Sequence, residues 1–132
     1  MPQRAAPDAD DLQVLSEQVT VLYDRGLYDQ ATPLAEKALA LTERKSGSDS
    51  PEAASALEVL GILYYLQSRY PQAEMEYQRS IALRESLFGR SHPLLAASSG
   101  NLGLLYKAEG KYEQALRYTR GRTESWKQRK AR

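Results

Sequence analysis

One short pattern occurs three times in this chain at a constant spacing of 42 residues: Tyr28-Asp29-Gln30-Ala31, Tyr70-Pro71-Gln72-Ala73 and Tyr112-Glu113-Gln114-Ala115. The similarity continues on both sides of this pattern, through the aligned positions Val19, Gly61 and Gly103 and the aligned pairs Gly47 with Gly89 and Pro51 with Pro93. A fixed period of about 20–50 residues is the signature of a repeat protein. The chain is therefore expected to contain three copies of one structural unit.

Apolar residues within each unit recur every three or four positions, as in an amphipathic helix. In the second unit this holds for Leu60 and Tyr64 and again for Tyr77 and Ile81, with a short polar break between the two runs. Pro71 lies at the end of that break and suits the first position of a new helix. Each unit is thus predicted to be a pair of antiparallel helices, and the fold to be an all-α solenoid of three helix pairs.

The repeated small residues and tyrosines are expected to shape this packing. Gly61 and Gly103 have no side chain, so the two helices of a pair can approach closely there. Gly110 suits the left-handed conformation at a helix end. The second helices supply small alanines and the turns are closed by large tyrosines; these residues are Ala31, Ala73, Ala115, Tyr28, Tyr70 and Tyr112.

The predicted organisation has three parts. Residues 1–11, with two prolines and clustered aspartates, are expected to be disordered. The repeat domain is expected over residues 12–126, with units at about 12–53, 54–95 and 96–126. Residues 127–132 form a basic tail.

The spacing Leu60-Gly61-x-x-Tyr64, followed by Ala73 and Tyr77, resembles the tetratricopeptide repeat, and Leu102-Gly103-x-x-Tyr106 with Ala115 matches it again. The 42-residue period and the loop before Pro93 are similar to the longer variant found in kinesin light chains. Two features of the first unit depart from the pattern. Val19 stands where a small residue is expected, and Pro33 either breaks a hydrogen bond inside the second helix or marks a later helix start.

The resemblance implies that the first helix of each pair lines a concave groove that binds a protein or peptide. Carried over to this chain, the groove residues are Asn101, Lys107, Tyr65, Tyr23, Glu58, Ile62, Leu104 and Thr20. Asn101 occupies the position at which family members hold peptide backbone. A second interpretation is that Val59 and Ile62 simply pack against the neighbouring repeat.

Composition leaves little for catalysis. The 132 residues include no cysteine, and His92 is the only histidine. A cysteine–histidine pair or a multi-histidine metal site therefore cannot form within one chain, and His92, just before Pro93, is expected to cap the next helix. We expect no enzyme activity, no cofactor and no metal. The chain has no long apolar run, so we expect no membrane span and a cytoplasmic protein.

Two further hypotheses come from charge. Residues 1–66 carry 5 Lys and Arg against 11 Asp and Glu, whereas residues 67–132 carry 13 against 6. Ends of opposite charge allow copies to stack end to end as a homo-oligomer. The stretch 117–132 mixes seven Lys and Arg with aromatic residues, which makes nucleic acid an alternative but not the expected partner.

Overall fold

The structure, a computed structural model, describes residues 11–118. These residues form helices only, which confirms the predicted all-α solenoid. The first five helices are α1 (Leu12–Asp24), α2 (Tyr28–Ser46), α3 (Pro51–Leu66), α4 (Tyr70–Phe88) and α5 (Pro93–Ala108). A sixth, α6, is described over residues 112–118. Each helix packs against the next along the chain, so α1 and α2 form the first hairpin and α3 and α4 the second.

Polar side chains begin the first helix of each pair. Asp11 Oδ1 accepts a hydrogen bond from the backbone N–H of Gln13 at 2.9 Å, so Asp11, which was assigned to the disordered segment, caps α1. Residues 1–10 lie outside the described part. Ser50 caps α3, and the imidazole of His92 accepts a bond from the N–H of Leu94 at 3.2 Å, as its position before Pro93 predicts.

The turns inside the hairpins repeat one backbone conformation. Gly26, Ser68 and Gly110, which are 42 residues apart, have φ of 73°, 61° and 79°. Glycine adopts these angles freely, whereas a serine at positive φ is strained by its Cβ. The sequence predicts this conformation at Gly110, and the structure adds the strained Ser68.

The prolines of the second helices lie inside the helices. α2 begins at Tyr28, so Pro33 is within it and the hydrogen bond to the Asp29 carbonyl is missing. The later helix start is therefore the wrong alternative. Pro71 occupies the second residue of α4 and not the first, because α4 begins at Tyr70. Pro71 costs no hydrogen bond, because the first N–H groups of a helix have no intrahelical acceptor, whereas Pro33 in the second turn of α2 does cost one.

The departure at Val19 is compensated by its packing partner. A Cβ placed on Gly61 would lie 2.6 Å from Cδ1 and Cε1 of Tyr77, so the buried Tyr77 ring occupies the space that the glycine leaves open. The positions 42 residues earlier are Val19 and Ala35, and both belong to the first core cluster. A larger residue on the first helix is thus matched by a smaller one on the second. Close approach of the helices at Gly61 is as expected, with Tyr77 as its partner.

The two core clusters follow the helix pairs. The first joins α1, α2 and α3, and the second joins α4 and α5 to the start of α6. The signature alanines at positions 31, 73 and 115 are buried in these clusters. Burial of apolar side chains on both sides of every helix pair is what makes the repeats depend on one another for stability.

Candidate binding groove

The predicted groove residues lie on α1, α3 and α5, which we call the first-helix face. α1 supplies Thr20 and Tyr23. The remaining residues come from the next two first helices: Glu58, Ile62 and Tyr65 on α3, and Asn101, Leu104 and Lys107 on α5. α3 and α5 are joined directly, since Asn101 Nδ2 donates a hydrogen bond to Glu58 Oε1 at 2.7 Å.

A buried arginine from the second helix α4 completes this contact. Arg84 is only 5% exposed, and its guanidinium donates to Glu58, to Ser98 on α5 and to Ser55 on α3. We call Ser55, Glu58, Arg84, Ser98 and Asn101 the Arg84 cluster. Because an unpaired buried charge is costly, this cluster links three helices into one fixed arrangement. It also engages Asn101, the residue predicted to hold peptide backbone.

Sequence reasoning missed Arg84 because only the first helix of each pair was expected to line the groove. A signal was present. Arg84 lies seven residues after Tyr77, on the same helical face, where the stripe of buried residues should continue. A charged residue on a buried face needs a partner of opposite charge, and Glu58 was among the predicted groove residues.

Two of the predicted groove tyrosines pack against the hairpin turns. The rings of Tyr23 and Tyr28 have centroids 5.7 Å apart, and those of Tyr65 and Tyr70 are 5.9 Å apart. These distances are typical of aromatic pairs in protein cores. In the third unit Lys107 replaces the first tyrosine, and Tyr112 is 63% exposed.

The apolar part of the first-helix face is smaller than predicted. Ile62 packs against the second core cluster, together with Tyr65, so the packing interpretation applies to Ile62. Val59, in contrast, is 42% exposed, and Leu104 is 57% exposed. Val59 and Leu104 are therefore exposed, as are Leu66 near the end of α3 and Leu94 near the start of α5.

A cavity of about 400 Å³ opens between α1 and α3, with α2 as its floor. Of the predicted groove residues, Thr20 lines it. The full lining consists of Leu12, Ser16, Val19, Thr20, Ala35, Ala38, Thr42, Glu52, Ser55, Ala56 and Val59. Apolar side chains predominate, and Glu52 is the single charged residue, so the cavity suits an apolar group near a cation.

Burial raises the pKa of side chains in the packed interior, among them Glu76 and Tyr106. Desolvation raises the pKa of the Glu76 carboxyl, the nearby Arg79 opposes the shift, and the charges of Glu36 and Glu43 add to it. Burial also raises the pKa of Tyr106 to about 12, with a contribution from a hydrogen bond to Glu74. Both groups lie in the packed interior between helices and keep their neutral forms more readily than in water.

A family model described as tetratricopeptide repeat matches residues 10–86 and 64–120. The chain belongs to the tetratricopeptide repeat family. Its helix pairs, its signature alanines and the close approach at Gly61 are thus features of a tetratricopeptide repeat protein. Members of this family generally mediate protein–protein interactions.

Solved structures show the same fold. BtubC (BKLC) from P. vanneervenii superposes with a TM-score of 0.82 at 23% identity, and the alignment covers 92% of this chain and 49% of that one. A putative kinesin light chain from Podosopora anserina, with nearly identical TPR-like repeats, gives a TM-score of 0.75 at 19% identity, covering 89% and 56%. This tetratricopeptide repeat chain therefore spans about half the length of these proteins. A search of curated protein sequences found no match.

The remaining predictions concern a membrane span, a metal site and the basic stretch 117–132. Within residues 11–118, no helix is long and apolar enough to cross a membrane, and no group of acidic or histidine side chains could hold a metal ion. The basic stretch 117–132, proposed for nucleic acid, and the tail 127–132 lie outside the described residues apart from Arg117 and Tyr118. Nucleic-acid binding and end-to-end stacking therefore stay predictions.

Proposed function

We propose that this tetratricopeptide repeat chain is a scaffold that binds a protein or peptide segment along its first-helix face. The observation that supports this most strongly is the apolar cavity of about 400 Å³ between α1 and α3. Ligand sites are typically concave, mostly apolar and about 300–1,000 Å³ in volume. The exposed Val59 at the cavity and Leu104 further along the same face extend the apolar surface from α3 to α5.

The Arg84 cluster supports the same role in another way. It fixes α3, α4 and α5 relative to one another through hydrogen bonds to a buried guanidinium. A rigid surface loses little conformational entropy when a partner binds. Asn101 therefore contributes to binding mainly by holding α5 in place, and Leu104 and Lys107 are the α5 side chains that meet the partner. A cytoplasmic location belongs to this proposal, and the cysteine-free sequence is compatible with it.

Leu104→Glu tests the proposal, with Met75→Glu as the matched control. Leu104 on α5 is 57% exposed and Met75 on α4 is 58% exposed, so both changes place the same charge at an equally exposed apolar site. Tagged wild-type and variant proteins are used for affinity capture from the native host, and bound proteins are quantified by mass spectrometry. Circular dichroism confirms equal helix content.

We expect a set of partners that the wild type and Met75→Glu retain and Leu104→Glu loses by tenfold or more, which is the order expected for a central apolar contact, about 1.4 kcal/mol or more. If Leu104→Glu retains the same partners at the same levels, the first-helix face is not the binding surface. Loss of the same partners with both variants would show that the effect is not specific to the first-helix face and would contradict the proposal as well.

A further inference from the structure

The cavity exists at one repeat junction and is filled at the other. The first junction is formed by α1, α2 and α3, and the second by α3, α4 and α5. Five cavity-lining residues of the first junction have counterparts 42 positions later at the second. The pairs are Ser16 with Glu58, Ala35 with Tyr77, Thr42 with Arg84, Ala56 with Ser98, and Val59 with Asn101.

Two of these exchanges place a much larger side chain at the second junction than at the first. Tyr77, which is almost fully buried, places its ring where the first junction has the methyl group of Ala35. Arg84 occupies the position that Thr42 has at the first junction, and its guanidinium donates hydrogen bonds to Glu58 and Ser98. The second junction is therefore closed by its own side chains, while the equivalent space at the first junction stays open.

The chemistry of the open junction is specific enough to describe its ligand. Apolar residues make up more than half of the lining, with Val19, Ala35, Ala38 and Ala56 among them, and the buried Thr42 lies beside them. Ser16, Thr20, Thr42 and Ser55 add hydroxyl groups to the lining. The Thr20 hydroxyl donates to the Ser16 carbonyl and can still accept from a peptide N–H, and the Ser55 hydroxyl accepts from Arg84 and can still donate. The one charge is the carboxylate of Glu52, in the first turn of α3. An apolar side chain is favoured inside, and a cation is favoured beside it.

We propose that the cavity between α1 and α3 is an anchor pocket for one large apolar side chain of a partner peptide in which the adjacent residue is Arg or Lys. The cation pairs with Glu52, and the closed second junction offers only its surface to the rest of the peptide. This inference rests on the proposed function and makes it more specific, because it assigns the anchor to one junction and gives the partner's sequence chemistry.

A peptide array tests the pairing of anchor and cation. Seven-residue peptides of Gly and Ser carry two variable central positions that cover all combinations of amino acids, and purified full-length protein is the probe. The strongest peptides are then measured by fluorescence polarisation. We expect Leu, Met, Phe or Trp beside Arg or Lys, and a loss of roughly tenfold to a hundredfold when the anchor becomes Ala, as expected for the burial of one large apolar side chain.

Ala38→Leu fills the pocket, and Ala40→Leu is the matched control. Both residues lie on α2, but Ala38 lines the cavity whereas Ala40 is exposed on the other side of the helix. We expect Ala38→Leu to weaken the best peptide by at least tenfold and Ala40→Leu to leave it unchanged. A triple variant, Ser16→Glu with Thr42→Arg and Val59→Asn, copies the closed junction and should have the same effect, which keeps the test valid if Ala38→Leu folds poorly.

Glu52→Gln tests whether Glu52 pairs with the Arg or Lys of the peptide. We expect it to remove the preference for Arg or Lys, a change of up to about fivefold for an exposed ion pair, while the preference for the apolar anchor persists. If acidic neighbours are selected by the wild type, the assignment of Glu52 is wrong.

The outcomes separate this inference from the proposed function. If peptide binding is unaffected by Ala38→Leu but abolished by Leu104→Glu, the anchor pocket is wrong and the first-helix face remains the binding surface. Failure of every peptide to bind overturns the pocket alone, since the capture experiment is independent of it. Binding that appears only after residues 1–10 are removed, or a dimer that Ala38→Leu dissociates, would assign the cavity to the chain itself and also overturn the inference.

Discussion

Substitution of Gly61 by alanine should have opposite effects depending on the residue at position 77. In the wild type the new Cβ would lie 2.6 Å from two atoms of the Tyr77 ring, well inside van der Waals contact. The ring is buried and has little room to move, so the overpacking penalty should be near the upper end of the usual range, about 3 kcal/mol. Alanine also favours the helix over glycine by about 1 kcal/mol. The net destabilisation is then about 2 kcal/mol.

In a Tyr77→Ala background the clash is absent, so Gly61→Ala should stabilise the protein by about 1 kcal/mol. The coupling energy between the two sites is therefore about 3 kcal/mol, at the upper end for residues in contact. Urea denaturation followed by circular dichroism at 222 nm measures all four proteins of the cycle. If Tyr77→Ala leaves too little stability to measure, the same cycle in trimethylamine N-oxide recovers it.

Tyr77→Phe is the control, because it keeps the ring and removes only the hydroxyl. Gly61→Ala should cost as much in this background as in the wild type. If Gly61→Ala is destabilising by the same amount with and without the ring, the ring does not explain the glycine. The comparison of Val19 and Ala35 with Gly61 and Tyr77 would then have no physical basis.

Three other changes have defined outcomes. Ser68→Gly should raise the free energy of unfolding by about 1 kcal/mol in urea melts, since Ser68 has φ of 61°, and Gly26→Ser should lower it by a similar amount. Arg84→Met should cost about 3 kcal/mol because Glu58 loses its buried partner, and adding Glu58→Leu should recover most of that loss in thermal melts. Burial raises the pKa of Glu76 in the folded state, so its contribution to stability is fully present below its ordinary pKa and is lost as pH rises through the folded-state pKa. Glu76→Gln should therefore stabilise the protein at pH 7, and this gain should vanish in melts at pH 4.

The helix pairs were predictable because their signals are local. The spacing of apolar residues and the glycine at position 110 act within one hairpin, and the period of 42 residues shows that the same hairpin recurs. The packing of the first junction was not predicted, because it depends on pairs of residues on different helices. Taken alone, Val19 is a departure from the repeat pattern. It is explained by Ala35, the small residue in the same core cluster that stands where the second unit has Tyr77. That pairing could have been found by aligning positions 35 and 77.

The candidate site was predictable only in outline. The first helices do supply its residues, but side-chain lengths on α4 decide which part of the face is open. Arg84 reaches from the second helix to one carboxylate oxygen of Glu58, and Asn101 donates to the other, so the predicted peptide contact of Asn101 is an internal hydrogen bond. Tyr23 and Tyr65 were assigned to the groove from their position, and their rings pack beside the turn tyrosines. Such choices among neighbouring partners depend on distances that residue spacing does not contain.

The contrast between the two junctions has a consequence for how the solenoid opens. In a one-dimensional array the stability of each hairpin depends on its coupling to the next, and that coupling is unequal here. α1 faces α3 across an open space, whereas α3, α4 and α5 are tied together by Arg84. Amide hydrogens of α1 should accordingly exchange with deuterium sooner than those of α3. A bound segment that bridges α1 and α3 would slow this exchange, so ligand binding in the gap would also stabilise α1 against local opening.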